Sequence, residues 1–301
     1  MDRFEAMRVF CTVIEAGSFV AAADRLGQST TAVSRLVAQL EAHLNVRLLN
    51  RTTRRMQPTT EGFAYFERCT QLLADLEEAE ASIAGEARRP RGRLRLTAPI
   101  ALATLRLAPA FAAFSQHHPE ITLDILLSDN VADFVDEGLD LAIRVGRVGS
   151  DNLVARHVAD TTLLIAASPV YLQRAGTPEH PEQLTRHACF TYTYSATGNQ
   201  WQFESADGTS ISVRIGGPVN ANNGMLLAEM ATAGGGIVLA PCFILQPLIA
   251  SGQLQRLLPD WRLRQLPIHV VYPTRRHLSA KVQAMTGFLA DWFARNPATP
   301  D

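Results

Sequence analysis

Two glycine–serine breaks near the N-terminus set the strongest limit on how this chain can fold. Phe4, Met7, Cys11 and Ile14 recur at helical spacing, and Gly17 then stands where a left-handed helix cap belongs. Ser18 follows as the N-cap of a segment, Phe19 to Leu26, which Gly27 stops after about two turns. Ser29 or Thr30 caps a third helix, in which Val33, Leu36, Val37, Leu40 and Leu44 form one apolar stripe. Helices this short are marginal alone in water, so they must pack on one another. On a 3.6-residue wheel Thr31 and Arg35 fall opposite the stripe, with Ser34 beside them. Two short helices joined by a glycine turn, the second with an exposed polar N-terminal half, predict a helix-turn-helix.

Charge along the chain is sorted into blocks. Residues 25–59 hold six arginines (Arg25, Arg35, Arg47, Arg51, Arg54 and Arg55) against one acid, Glu41, within a chain whose formal net charge is −1. From 60 to 86 the sign reverses, with seven acids against Arg68. Arg88, Arg89, Arg91, Arg93 and Arg95 then follow without an acid among them. Sharp edges of this kind mark modules with different partners, and the first basic block suits nucleic acid. The run LLNRTTRRMQPT, residues 48–59, reads as two short strands around a basic turn, a wing beside the third helix. A reading helix meets base edges in the major groove through its N-terminal residues. Ser29, Thr30, Thr31, Ser34 and Arg35 suit that task, and Arg51, Arg54 and Arg55 suit phosphates. A plain helical hairpin with solvated arginines is the other reading, and salt-sensitive retention on DNA separates the two.

The remaining composition is that of a soluble globular chain of about two domains: 301 residues, 47% hydrophobic and 19% charged. No apolar run reaches the ~20 residues of a membrane span, and the start, with Asp2 and Glu5 in an amphipathic pattern, lacks a secretory leader's features. A cytoplasmic protein without membrane partners is expected. Cys11, Cys69, Cys189 and Cys242 are widely scattered, so all four are expected reduced. No metal constellation, phosphate loop or nucleophile elbow appears, and no cofactor, metal or catalytic residue is predicted.

From Arg93 apolar alternation alternates with helical spacing. Strands are predicted at 93–97, 121–127, 139–145, 161–167, 236–241 and 268–272, and helices at 100–116, 131–137, 223–233, 243–251 and 279–294. This order predicts a parallel α/β sheet divided over two small lobes. Between the modules, Gly62, Phe66, Cys69, Leu73, Leu76, Glu80, Ile83 and Ala87 follow a 4-3 alternation. A helix from 60 to 87 would be ~42 Å long and needs cover for this stripe, from the chain's own domains or from a second copy.

In combination, several runs carry a resemblance. Phe19-Val20-Ala21-Ala22-Ala23, Ser29-Thr30-Thr31-Ala32-Val33-Ser34-Arg35, Leu48-Leu49-Asn50-Arg51 and Pro58-Thr59-Thr60-Glu61-Gly62 resemble the N-terminal domain of LysR-type transcriptional regulators. RLRLTAP (93–99), HPEITLDILLSD (118–129), DLAIRVG (140–146), ASPVYL (167–172) and GGGIVLAP (234–241) resemble the effector domain of the same family, in its CrgA-like branch. The pattern departs at Thr30-Thr31, where Gln-Ser or Gln-Pro is commoner. The resemblance implies an α/β protein with an N-terminal winged helix-turn-helix (1–59), a dimerisation helix and hinge (60–92), and a two-lobed, periplasmic-binding-protein-like effector domain (93–301). The chain would cross between lobes near Thr161 and Pro267, giving one lobe of 93–160 and 268–301 and another of 161–267. It also implies double-stranded operator DNA, a small-molecule effector and a homodimer or homotetramer, with Leu73 and Leu76 central in the dimer seam. The alternatives are a cytoplasmic small-molecule-binding protein and an α/β enzyme with a fused helical domain.

Ligands of open α/β sheets sit beyond the carboxyl ends of strands, where helix N-termini favour an anion or polar oxygen. Three such turns carry Thr97, Pro99 and Ile100; Asn222 and Asn223; and Cys242. Ser128 and Val145 stand at neighbouring strand ends, Arg144 could add a cation, and Tyr194 or Trp201 an apolar wall. An anionic or aromatic effector fits this set. Cys242, at a predicted helix N-terminus on the cleft rim, could also act as a reactive thiol.

Overall fold

Each helix of the N-terminal segment starts on a side chain that caps it. Asp2 accepts from the Phe4 amide at 2.9 Å and opens α1 (Arg3–Ala16). Ser18 accepts from Ala21 N at 3.1 Å to open α2 (Phe19–Leu26). Ser29, not Thr30, accepts from Ala32 N at 3.2 Å to open α3 (Thr30–Leu44). Gly17 and Gly27 take φ of 69° and 63°, a conformation glycine adopts without steric cost. An antiparallel hairpin of β1 (Leu49–Thr52) and β2 (Arg55–Pro58) follows, then α4 (Thr60–Ile83).

The computed structural model describes residues 1–52, 55–83, 90–130, 138–147, 153–273 and 278–297. They fall into two compact units, Met1–Arg89 and Pro90–Asp301. In the first, Phe10, Val13, Val33, Val37, Leu40 and Leu48 are fully buried. Cys69 and Leu73 of α4 join the same core, at 0% and 8% exposure, and Phe66 packs against it. This corrects the seam expectation over that stretch: Phe66, Cys69 and Leu73 cover the unit's own core. A 4-3 stripe states that a helix needs an apolar partner, not which one. Residues 84–87 of the expected helix lie outside the described residues.

At its start α4 presses against Leu48, the residue before β1. Thr59 N donates to Leu48 O at 2.9 Å, and Gly62 N donates to Thr59 Oγ1 at 2.9 Å. A Cβ on Gly62 would lie 1.9 Å from the Leu48 carbonyl oxygen, so the glycine is required by closeness of backbones.

The second unit opens with β3 (Gly92–Ala98), then α5 (Ile100–Leu102), one π turn (Ala103–Leu107), α6 (Ala108–His117) and β4 (Ile121–Leu127). The helix expected over 131–137 lies outside the described residues. Next come β5 (Leu141–Val145), β6 (Leu153–Ala167), α7 (Pro169–Ala175), β7 (Thr191–Tyr192), β8 (Gln200–Glu204), β9 (Ser210–Arg214) and β10 (Asn220–Ala221). The chain continues through α8 (Gly224–Thr232), β11 (Ile237–Pro241), α9 (Cys242–Ala250), β12 (Gln255–Arg256), β13 (Arg262–Leu263), β14 (Gln265–Pro273) and α10 (Ala280–Arg295).

The main sheet runs β11-β6-β14-β5-β3-β4, with β12 also on β6. It is mixed rather than parallel. β3 pairs parallel to β4 and β5, but β14 pairs antiparallel to both β5 and β6. β6 pairs with β14 up to Thr162 and with β11 from Leu163 onward. One continuous strand therefore belongs to two sheet halves, and β14 returns beside it. The larger core joins β3, β5 and β14 to α6, α8, α9 and α10. A smaller one gathers Ile165, Tyr171, Leu184, Trp201 and Phe203.

Lys281, the only lysine in the chain, lies inside this unit. Its Nζ donates to Arg93 O at 2.7 Å and lies 3.0 Å from both Asp140 carboxylate oxygens; the two side chains are 7% and 6% exposed. Asp140 Oδ2 also accepts from Arg95 N at 2.8 Å. The ion pair thereby ties α10 to β3 and to the loop before β5.

Candidate functional site

In the first unit α3 shows two faces. Val33, Val37 and Leu40 are buried, while Thr30, Thr31 and Arg35 are exposed and Ser34 is half-buried at the edge. Ser29 is exposed as well, though its hydroxyl is engaged as the cap. The one acid of the basic stretch is turned to a structural use: Glu41 Oε1 accepts from Leu48 N at 2.8 Å and Leu49 N at 3.1 Å, holding the wing's first strand. Arg25, Arg35 and Arg47 are exposed and make no ion pair among the described residues. Arg51 and Arg55 lie on the two strands of the wing, and Arg54 lies outside the described residues.

In the second unit several strand ends converge. Thr97 is fully buried, and among the described residues its Oγ1 has no hydrogen-bond partner. Pro99 precedes α5 without capping it; Asp129 Oδ1 instead accepts from Ile100 N at 3.0 Å. Asp129 was not expected from the sequence, although an Asp just past a strand end is a capping residue by type. Burial raises its pKa above the usual carboxylate value, partly offset by the Ile100 amide and by the positive charge of Arg144. Tyr192, at the end of β7, has its phenol pushed up by burial and by the Asp129 charge. The Tyr192 and Tyr194 rings meet edge to face with centroids 5.9 Å apart. Asn222 and Asn223 follow β10, which pairs with β7; Asn222 is exposed and Asn223 caps α8 by accepting from Leu226 N at 2.9 Å. Arg144 and Val145 are half-buried in β5, and Arg144 Nη1 donates to Ile143 O at 2.9 Å. Ser128 Oγ accepts from Asn130 N at 3.2 Å.

Two expected residues lie elsewhere. Trp201 is 4% exposed within the smaller core, because alternation along β8 turns Trp201 and Phe203 inward together. It is a core residue, not a cleft wall. Cys242 is 2% exposed at the start of α9, its sulfur 3.5 Å from Thr161 Oγ1. It is packed into the sheet, not displayed on a rim, and all four cysteines are buried and unbridged.

Two family models describe nearly the whole chain. Residues 4–63 match the bacterial regulatory helix-turn-helix protein model of the lysR family, and residues 87–294 match the LysR substrate binding domain. The chain belongs to the LysR family. It is a DNA-binding transcriptional regulator with a helix-turn-helix and a regulatory, effector-binding domain. An uncharacterized HTH-type transcriptional regulator of Haemophilus influenzae is 38% identical over 286 residues, 95% of this chain and 99% of that one. CrgA of Neisseria meningitidis, a LysR-type transcriptional regulator of solved structure, is 32% identical over 293 residues, 97% of either chain. Its structure superposes at a TM-score of 0.59, covering 95% of this chain and 97% of CrgA. The full-length virulence activator AphB of Vibrio cholerae gives 0.60 at 27% identity, over 96% and 99% of the two chains. Among the described residues of this LysR-family protein, no helix is long and apolar enough to cross a membrane.

Proposed function

We propose that Thr30, Thr31, Ser34 and Arg35 read operator bases, that Ser29 fixes the start of the reading helix, and that Arg51, Arg54 and Arg55 hold the flanking phosphates. The observation that carries this is the Ser29-capped α3, which buries Val33, Val37 and Leu40 while leaving Thr30, Thr31 and Arg35 exposed. A helix N-terminus with small polar groups and one guanidinium suits base edges in the major groove. The effector, a small anionic or aromatic molecule, binds where Thr97, Ile100, Asp129, Arg144 and Tyr192 converge, between lobes of about 93–160 with 268–301 and 161–267. Its differential affinity for two arrangements of the lobes shifts their populations and so the DNA-binding state. The protein acts as a homodimer or tetramer on DNA in the cytoplasm and catalyses no reaction.

Arg35→Ala is expected to weaken binding to a duplex selected by the protein from a random pool by about 1–3 kcal/mol, and binding to unselected DNA much less. Equal losses on both, read by fluorescence anisotropy, move Arg35 to the phosphate contacts. Arg54→Ala should behave oppositely. Both DNAs should weaken together, and the slope of log affinity against log salt should fall by about one unit. An unchanged slope leaves Arg54 without a phosphate contact.

A further inference from the structure

We propose that the second unit carries a second binding site, for a small polyanion, in a groove beside residues 162–165 of β6. The groove has a volume of about 1010 Å³. Its walls are residues 162–165 of β6, the β8–β9 hairpin and the segment 256–265 that leads into β14. The strand-end residues Thr97, Ile100, Asp129 and Arg144 are not among its walls.

Charge points to the occupant. Arg256, Arg262 and Arg264 line the groove, against one carboxylate, Glu204. Arg262 stands opposite Glu204 across the β13–β8 pair, yet the two form no ion pair. Among the described residues, none of the three guanidinium groups has a hydrogen bond or ion pair. Arg156, Arg186 and Arg214 of the unit are likewise without a partner among the described residues; what sets Arg256, Arg262 and Arg264 apart is that all three line one groove. Uncompensated positive charge on a concave surface concentrates anions. Guanidinium forks match the geometry of carboxylate and phosphate. Three guanidinium groups on one groove can each take an anionic oxygen pair, which favours a ligand carrying two or more anionic groups.

The backbone supports a built site. Leu258, in the wall, has φ 49°, a left-handed conformation rare for a residue with a Cβ. It is held there because its side chain is buried among Phe203, Trp261 and their neighbours, and Trp261 N donates to Leu258 O at 3.0 Å. Conformations of this kind persist where the surroundings impose them, and they cluster at binding sites. The turn it makes delivers Arg262 and Arg264, two residues apart on one side of the chain, to the groove. The occupant would also touch Thr162 and Gln265, where β6 exchanges β14 for β11.

Titration calorimetry of the full-length protein with citrate and with tripolyphosphate, at fixed ionic strength, tests the site. Each titration is repeated with operator DNA bound, which occupies the arginines of the first unit. Saturable binding of at least one anion, one site per chain, is expected with or without DNA. Arg262→Gln with Arg264→Gln should weaken it at least about tenfold, with the tryptophan fluorescence of the unliganded variant unchanged. The tighter anion decides between a polycarboxylate and a polyphosphate. The proposal is overturned if neither anion saturates at millimolar concentration, if bound DNA abolishes the titration, or if the double variant binds as the parent does. It is equally overturned if the variant changes only the sedimentation of the oligomer, which would make the groove a contact between copies.

Discussion

Replacing Lys281 by Met is expected to destabilise the second unit by about 3–5 kcal/mol, the loss seen when one partner of a buried ion pair is removed. Asp140 would be left charged, 8% exposed, and facing a methyl group. For a unit of this size that corresponds to a fall in midpoint of roughly 10 °C. Trp201, Trp261 and Trp292 all lie in this unit, so tryptophan fluorescence during thermal or urea unfolding reports on it alone. Adding Asp140→Asn should restore more than half of the loss, since the amide keeps an acceptor for Arg95 N without a buried charge. A loss below about 0.5 kcal/mol, the scale of surface substitutions, would show that water already reaches the pair.

Gly62→Ala should act on the other unit. The new methyl group would meet the Leu48 carbonyl oxygen at 1.9 Å, and that oxygen belongs to backbone also held by Thr59 N. Neither side can yield without parting α4 from the wing. Overpacking of this kind costs about 1–3 kcal/mol, with rigid backbone on the opposing side favouring the upper end. Far-ultraviolet circular dichroism should show early loss of helix, and operator binding should be lost, while the tryptophan transition stays in place. Wild-type melting and wild-type DNA affinity together would mean that the start of α4 shifts freely.

The N-terminal unit was legible because its instructions are local. Gly17, Ser18, Gly27 and Ser29 each act within a few residues of themselves, and all four perform the capping read from the sequence. What escaped depends on distant partners. Asp129 caps Ile100 from 29 residues away, and Lys281 meets Asp140 across 141. The composition of the chain suggested nothing about that lysine beyond its rarity. Of the residues that converge at the strand ends, Thr97, Ile100 and Arg144 were expected, while Asp129 and Tyr192 were not. Trp201 was misplaced because an aromatic residue on a strand reads alike whether it faces a ligand or a core; only the partner sheet decides. The first half of β6, with Arg156, His157 and Asp160 in it, carries too little apolar alternation to read as a strand, yet β14 pairs with it throughout. The stripe of α4 was visible, but not its partner.

Under the proposed contacts, Glu41 sets the spacing that the operator must match. By gripping the amides of Leu48 and Leu49 from the body of α3, it couples α3 to the wing; with the roles proposed above for their side chains, the two would act as one caliper. A half-site must then present its informative base pairs and its flanking backbone at one separation. An inserted base pair between them is then expected to be absorbed mainly by the DNA, through twist or bend.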